Sequence, residues 1–177
     1  MDGAGAVLGT RRLRLRPWTT SRDDLARLRD IYGRPEVTRW LGGPPTVPVP
    51  ELVARWAAVS AVDARHGCWA IEPLGGTAPP AGTLLLKPLP RGVGEVEVGW
   101  HLHPDSWGCG YATEAAAAVI ERAFQGGIPE VYAVVRPGND PSLAVCRRLG
   151  MAPLGRMTRW YDVELETFRL MAPVVVE

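Results

Sequence analysis

The chain has 177 residues, enough to bury one substantial core. Its 20 lysines and arginines nearly balance 19 aspartates and glutamates, and a formal charge of +1 excludes the global field that would draw it to nucleic acid or to an anionic membrane. Three scattered cysteines, Cys68, Cys109 and Cys146, fit neither a disulfide framework nor a zinc site, and no apolar run approaches the ~18 residues of a membrane span, so a soluble protein of a reducing, cytoplasmic compartment is expected. Met1 to Thr10 lacks the basic flank and apolar run of a signal peptide; it reads as a flexible lead into one domain over residues 11–177.

Alternation in Arg12-Leu13-Arg14-Leu15-Arg16 predicts a half-buried strand that Pro17 ends. Thr20 and Ser21 precede a helical recurrence of Leu25, Leu28, Ile31 and Tyr32 up to Gly33, and after the Gly42-Gly43-Pro44-Pro45 break a second helix runs through Leu52, Val53, Trp56 and Val59. Cys68–Ile71 and Ala81–Leu86 read as a hairpin across a Gly/Pro loop. From Glu95 to Leu102 the pattern alternates: Val96, Val98, Trp100 and Leu102 share a core face, while Glu97, Gly99 and His101 face something polar. A helix from Tyr111 to Phe124, a strand at Val131–Val135 and a helix through Leu143, Val145, Cys146 and Leu149 follow, the last with Asp140 as its expected cap and Pro141 in its first turn. Strands near Met157–Tyr161 and Leu165–Met171 close the chain, and the whole order implies an α/β domain on a mixed sheet.

The most informative stretch is Trp107-Gly108-Cys109-Gly110-Tyr111-Ala112-Thr113, a glycine-spaced turn between a strand and a helix. Helix-start amides favour anions, and glycines let the main chain approach a phosphate, although such turns also serve as plain connections. There is no Gly-Lys-Ser/Thr as in a Walker loop, and no full Gly-x-Gly-x-x-Gly of a dinucleotide fold.

These residues resemble a known family. The run from Glu97 to Ala115 is similar to the central motif of GNAT-type N-acetyltransferases, in the branch of ribosomal-protein N-terminal acetyltransferases. Asn139 to Met151 resembles that family's asparagine-led helix, and Leu13 to Pro17 and Pro35 to Gly42 resemble further parts of the branch, so the likeness spans most of residues 12–171. It implies a mostly antiparallel twisted sheet of about seven strands, about four helices and a splayed central cleft. In that cleft acetyl-coenzyme A would bond to the backbone of Trp100, His101 and Leu102, its pyrophosphate would rest on Gly108, Cys109, Gly110, Tyr111, Ala112 and Thr113, and Asn139 and Ser142 would contact its arm. Trp107 stands where the family usually has Gln or Arg and is expected to pack rather than hydrogen-bond.

Acetyl transfer needs a base for the acceptor amine and an acid for the departing thiolate. By resemblance Glu97 is the candidate base, against a reading as an ion-paired strand glutamate. The family's usual tyrosine acid is replaced by Cys146, leaving Ser142, Cys146 itself and, if its strand brings it over the thioester, Tyr161. The expected acceptor is a primary amine, on a small molecule or a protein N-terminus; the alternative is a non-catalytic acyl-coenzyme A sensor on the same fold. His66, His101 and His103 lack zinc-ligand spacing, so no metal is expected. Trp40, Trp56, Trp69 and Trp160 either line an acceptor cleft or fill core. Monomer and homodimer both stay open, with Val174-Val175-Val176 a candidate interface strip.

Overall fold

The computed structural model describes residues 6–174. Eight strands form one sheet: β1 (Leu8–Gly9), β2 (Leu13–Pro17), β3 (Gly67–Pro73), β4 (Gly82–Pro88), β5 (Val96–Leu102), β6 (Glu130–Val135), β7 (Ala152–Met157) and β8 (Leu165–Met171). Their spatial order is β1-β2-β3-β4-β5-β6-β8-β7, and every neighbouring pair is antiparallel except β5 and β6. The helices are α1 (Arg22–Tyr32), α2 (Pro35–Thr38), α3 (Val49–Val62), α4 (Tyr111–Gln125) and α5 (Asp140–Arg148), with a 3-10 turn at Pro104–Ser106.

The period-2 strands bury one face each, as their patterns predict. Leu13 and Leu15 of β2, Trp69 and Ile71 of β3, Leu84 and Leu86 of β4, and Val96, Val98 and Leu102 of β5 join Ala115, Ala116, Val119 and Ile120 of α4 in the larger core. The opposite face carries a smaller cluster in which Trp18 and Ala70 meet Leu28, Ile31 and Tyr32 of α1, Val37 of α2 and Val53 of α3. α1 starts as its sequence suggests, with the Ser21 side chain accepting from the Asp24 N–H at 3.2 Å.

The expected sheet of about seven strands with about four helices is present, with eight and five, the additions being Leu8–Gly9, which pairs with β2, and a four-residue helix at Pro35. The structure departs from the sequence reading in three places. Within the segment expected to be flexible, residues 1–5 lie outside the described residues, but Ala6 to Thr10 are held: the Trp69 indole donates to Ala6 O at 3.1 Å and Thr10 bonds Glu114 at 2.7 Å. Asn139, not Asp140, is the cap residue of α5, and its side chain makes no capping bond. The strand expected at Met157–Tyr161 instead ends at Met157, its pairing interrupted by a register shift between Pro153 and Gly155, and Trp160 and Tyr161 lie in the following loop. Of the valine strip, Val174 is exposed, and Val175 and Val176 lie outside the described residues.

β4 and β5 share seven paired positions, whereas β5 and β6 share one, Glu97 with Tyr132. Beyond that pair the two parallel strands diverge, so the sheet opens at its centre. Gly82 makes the tight side of this opening possible: a Cβ there would sit 2.1 Å from His101 O and 2.7 Å from Leu102 Cα, both backbone atoms. Gly82→Ala should therefore push β4 off β5 and lower the unfolding free energy by about 3 kcal/mol or more, measured by urea denaturation; a loss of only a few tenths would show that the ladder flexes there.

Candidate active site

The gap between β5 and β6 is the floor of a cleft of about 1210 Å³. Trp100, His101 and Leu102 line one side and Val134 and Val135 the other, with Gly108, Gly110, Tyr111, Ala112 and Thr113 at one end and Asn139 and Ser142 on α5. Thus most of the residues singled out in the sequence converge here from five elements.

The main chain of β5 divides by ladder period. The His103 N–H donates to Ala81 O at 2.9 Å, and two residues back His101 pairs with Thr83, so its peptide groups face β4. Val98, Trp100 and Leu102 turn theirs toward the gap. Of the three backbones expected to bond a cofactor arm, those of Trp100 and Leu102 are therefore available, and His101 reaches the cleft with its ring instead. The Leu102 carbonyl is already taken: the Trp107 indole donates to it at 2.9 Å. Trp107, expected to pack, is half exposed and acts as a hydrogen-bond donor that closes the end of the strand.

At the cleft's far end the glycine turn has the conformation that an anion cradle needs. Gly108 and Gly110 have φ of 71° and 77°, left-handed values that glycine adopts without strain. The first N–H of α4 with a main-chain acceptor is that of Glu114, bonded to Gly110 O at 3.1 Å, which leaves the amides of residues 111–113 free. Thr113, in the same first turn, lines the cleft, and its Oγ1 is buried without a partner. A phosphate would satisfy both, so the residues present fit the pyrophosphate of coenzyme A. The exposed Cys109 thiol donates to the Trp107 carbonyl at 3.6 Å, within the turn itself.

Arg12 fixes this turn in place. Its Nε meets Glu114 Oε2 at 2.7 Å, its own N–H donates to Glu114 Oε1 at 2.8 Å, and its Nη1 donates to the Cys109 carbonyl at 3.0 Å. Its guanidinium also lies 5.2 Å from the centre of the Tyr111 ring. Burial pushes the Glu114 carboxyl up, but the hydrogen bonds from Thr10 and Arg12 outweigh it and hold the group below its ordinary range.

On the sheet face that α1–α3 cover, Glu97 is buried at the mouth of the divergence. Its Oε2 accepts from Tyr161 Oη at 2.7 Å and lies 3.4 Å from Lys87 Nζ. Burial, and then the adjacent Glu97 charge, raise the Tyr161 phenol far above its ordinary value, so it stays a donor. The loop carrying Tyr161 is pinned by three contacts: Arg159 with Glu95, Arg91 with Asp162 at 2.9 Å, and Trp160 stacked edge-on against Tyr132 at 5.0 Å. The roles of Lys87, a single cation on β4, and of Arg12, one of the arginines just before β2, leave no local signal in the sequence, and only the fold brings them to the cleft.

The candidate acids separate clearly. Ser142 lines the cleft, and its Oγ accepts from the Trp100 indole at 3.3 Å. An indole is a donor only, so the serine's own proton remains available to another acceptor. Cys146, a candidate acid by sequence, does not reach the cleft: it is fully buried in the larger core, with burial pushing its thiol up to about 12, and it is a packing residue instead. Trp69 and Trp160 fill core, Trp56 packs against the smaller cluster and Tyr32, and Trp40 alone of the four lines the cleft.

His101 sits on the same sheet face as Glu97. Tyr32 Oη lies 3.0 Å from its Nδ1 and 3.1 Å from Thr83 Oγ1, which in turn accepts from the Trp18 indole at 3.1 Å. Burial, with a smaller push from Lys87, lowers the imidazole to about 4 from its ordinary 6.5, so the ring is neutral at pH 7. Unfolding releases this constraint, and between those two values the unfolded chain binds the proton first, so the contribution to stability is present above pH 6.5 and is lost as pH falls toward 4. Compared with His101→Phe, the unvaried protein should show the steeper loss of unfolding free energy across that window; equal slopes would mean that the ring titrates alike folded and unfolded.

Among the described residues no group of three His, Cys, Asp or Glu side chains comes together to hold a metal, and no helix is long and apolar enough to cross a membrane. Comparison with known proteins places this geometry. Residues 12–152 match the family model described as the acetyltransferase (GNAT) domain. An uncharacterized N-acetyltransferase of Bacillus subtilis, YnaD, is 38% identical over 74 residues, a stretch that covers 37% of this chain and 44% of that protein. The crystal structure of an acetyltransferase from Agrobacterium tumefaciens is 30% identical with a TM-score of 0.78, over 93% of this chain and 94% of that one. In fold, the chain also resembles RimJ of Mycobacterium smegmatis in complex with CoA-disulfide, at 22% identity and a TM-score of 0.75, covering 96% of this chain and 89% of that one.

Proposed function

The chain belongs to the GNAT acetyltransferases, a family that uses acetyl-coenzyme A, and from that premise we propose that it acetylates a primary amine, with Glu97 as base and Ser142 as the proton donor to sulfur. The observation that carries this reading is the division of the cleft. Phosphate-binding amides, Trp100 and Ser142 lie toward the α4 and α5 side, while the Glu97, Tyr161 and Lys87 cluster lies on the face covered by α1–α3. Donor and acceptor can thus approach one another from opposite sides of the sheet through the gap.

When bound, acetyl-coenzyme A supplies an activated acetyl thioester. The acceptor ammonium first loses one proton to solvent; the free amine's lone pair then forms the N–C bond as the C–S bond breaks, and Glu97 Oε2, directly or through one water, takes the second proton from the nitrogen. Tyr161 and Lys87 hold the Glu97 carboxylate in place while it does so. The Ser142 proton, left free by the indole's bond to its oxygen, is donated to the departing sulfur. Solvent then returns a proton to Ser142 and takes the one held by Glu97, so the transfer yields amide, free thiol and the single proton first lost by the ammonium. Asn139, whose side chain does not cap α5, is free to bond the arm of the donor. The acceptor is a protein N-terminus or a small amine. A candidate ribosomal-protein-serine acetyltransferase of Vibrio cholerae shares the fold at a TM-score of 0.70 and 18% identity, and covers 94% of this chain and 97% of that one.

The test is amine-dependent release of free thiol from acetyl-coenzyme A. Release with at least one amine of a panel is expected, whereas cofactor binding with no release under any amine would indicate a sensor. Glu97→Gln should lower kcat roughly 10²-fold or more and leave the cofactor KM within about twofold; an unchanged kcat removes Glu97 from the proton path. Gly110→Asp places a side chain at a left-handed position, 3.3 Å from Arg12 Nη2, and adds a charge beside the phosphates. Coenzyme A at ~100 times its dissociation constant should stabilise the unvaried protein by about 2.7 kcal/mol, and this stabilisation should vanish in the variant. Its persistence would move the pyrophosphate elsewhere.

A further inference from the structure

A buried polar chain with no part in the proposed reaction runs from Trp18 through Thr83 and Tyr32 to His101. Its proton pattern follows from counting donors. The Trp18 indole can only donate, so Thr83 Oγ1 accepts from it at 3.1 Å. Thr83 is fully buried, and its single hydroxyl proton has one oxygen in reach, Tyr32 Oη at 3.1 Å. With that proton received, the Tyr32 hydroxyl spends its own on His101 Nδ1 at 3.0 Å. The reverse order, with Nδ1–H donating to Tyr32 and Tyr32 to Thr83, strands the threonine proton in a site closed to water. His101 Nδ1 is therefore an acceptor, and the ring's proton lies on Nε2.

That Nε2–H has no hydrogen-bond partner among the described residues, and the ring lines the cleft. It stands on the Glu97 face, the side from which the acceptor enters in the function proposed above, on which this inference rests. We propose that His101 is a specificity-determining residue: a neutral imidazole locked as an Nε2–H donor, which selects amines carrying a hydrogen-bond-accepting oxygen near the nitrogen, such as the carbonyl of an amino-acid amide. A ring locked in this way is a donor and not a base. Burial supports the assignment, since it keeps the ring uncharged at neutral pH.

Long-range nitrogen–proton NMR of the unvaried protein should show His101 as the neutral Nε2–H form from pH 5 to 8; an Nδ1–H form, or an imidazolium at pH 7, overturns the proposal. The functional arm compares alaninamide with an alkylamine of similar size in the unvaried protein, His101→Phe and His101→Gln. In the unvaried protein KM should favour the amide relative to the alkylamine, and in His101→Phe that preference should shrink roughly tenfold, the value of one hydrogen bond. His101→Gln, which keeps a donor, should restore most of it. Differences in amine basicity cancel because the same two amines are compared across variants. Undiminished preference in His101→Phe, or a loss confined to kcat, overturns the assignment while leaving acetyl transfer intact. Absence of thiol release with every amine in the unvaried protein overturns both.

Discussion

The site depends on one constraint: β5 and β6 run parallel and pair only at Glu97 and Tyr132. A sheet that stops pairing in its middle leaves peptide groups without ladder partners, and buried peptide groups demand partners. In this chain they belong to Trp100 and Leu102. One of them, the Leu102 carbonyl, is satisfied internally by the Trp107 indole. The remainder line the gap as an unfinished β-ladder, which an extended arm bearing amide groups of its own would complete under the function proposed above.

The divergence also separates two kinds of chemistry. On one side a helix start with two left-handed glycines and an orphaned threonine hydroxyl is complementary to negative charge. On the other, Glu97 is held between a phenol and an ammonium, and farther along the same face stands a ring that burial keeps neutral. Because side chains alternate across a strand, Trp100 and His101, adjacent in sequence, serve opposite sides. The alternation from Glu95 to Leu102 is thus both the signal that predicts the strand and the device that sorts its functions.

Much of this was legible in the sequence because it is local. Leu13 and Leu15, the Ser21 cap, the β3–β4 hairpin and the glycine turn each follow from spacing over a few residues. What escaped was set by distance or by brevity. Tyr161 reaches Glu97 across 64 positions, and its place in a loop depends on ion pairs to Glu95 and Arg91 that no local pattern records. The two-residue β1 has no period to detect, and the register shift at Pro153 and Gly155 displaced the expected strand by several residues. Cys146 was read from its alignment with a tyrosine, but its side of α5 faces the core.

The Arg12 clamp carries a consequence for how the protein is made. Its bonds to Glu114 span 102 positions, so the first strands to emerge in synthesis must wait for most of the sheet before they can secure the phosphate turn. Contacts of such range form late, because the loop entropy they cost is recovered only when the intervening structure is in place. A partly folded chain would thus lack an ordered glycine turn, and under the function proposed above the donor would find its phosphate site only on the finished fold.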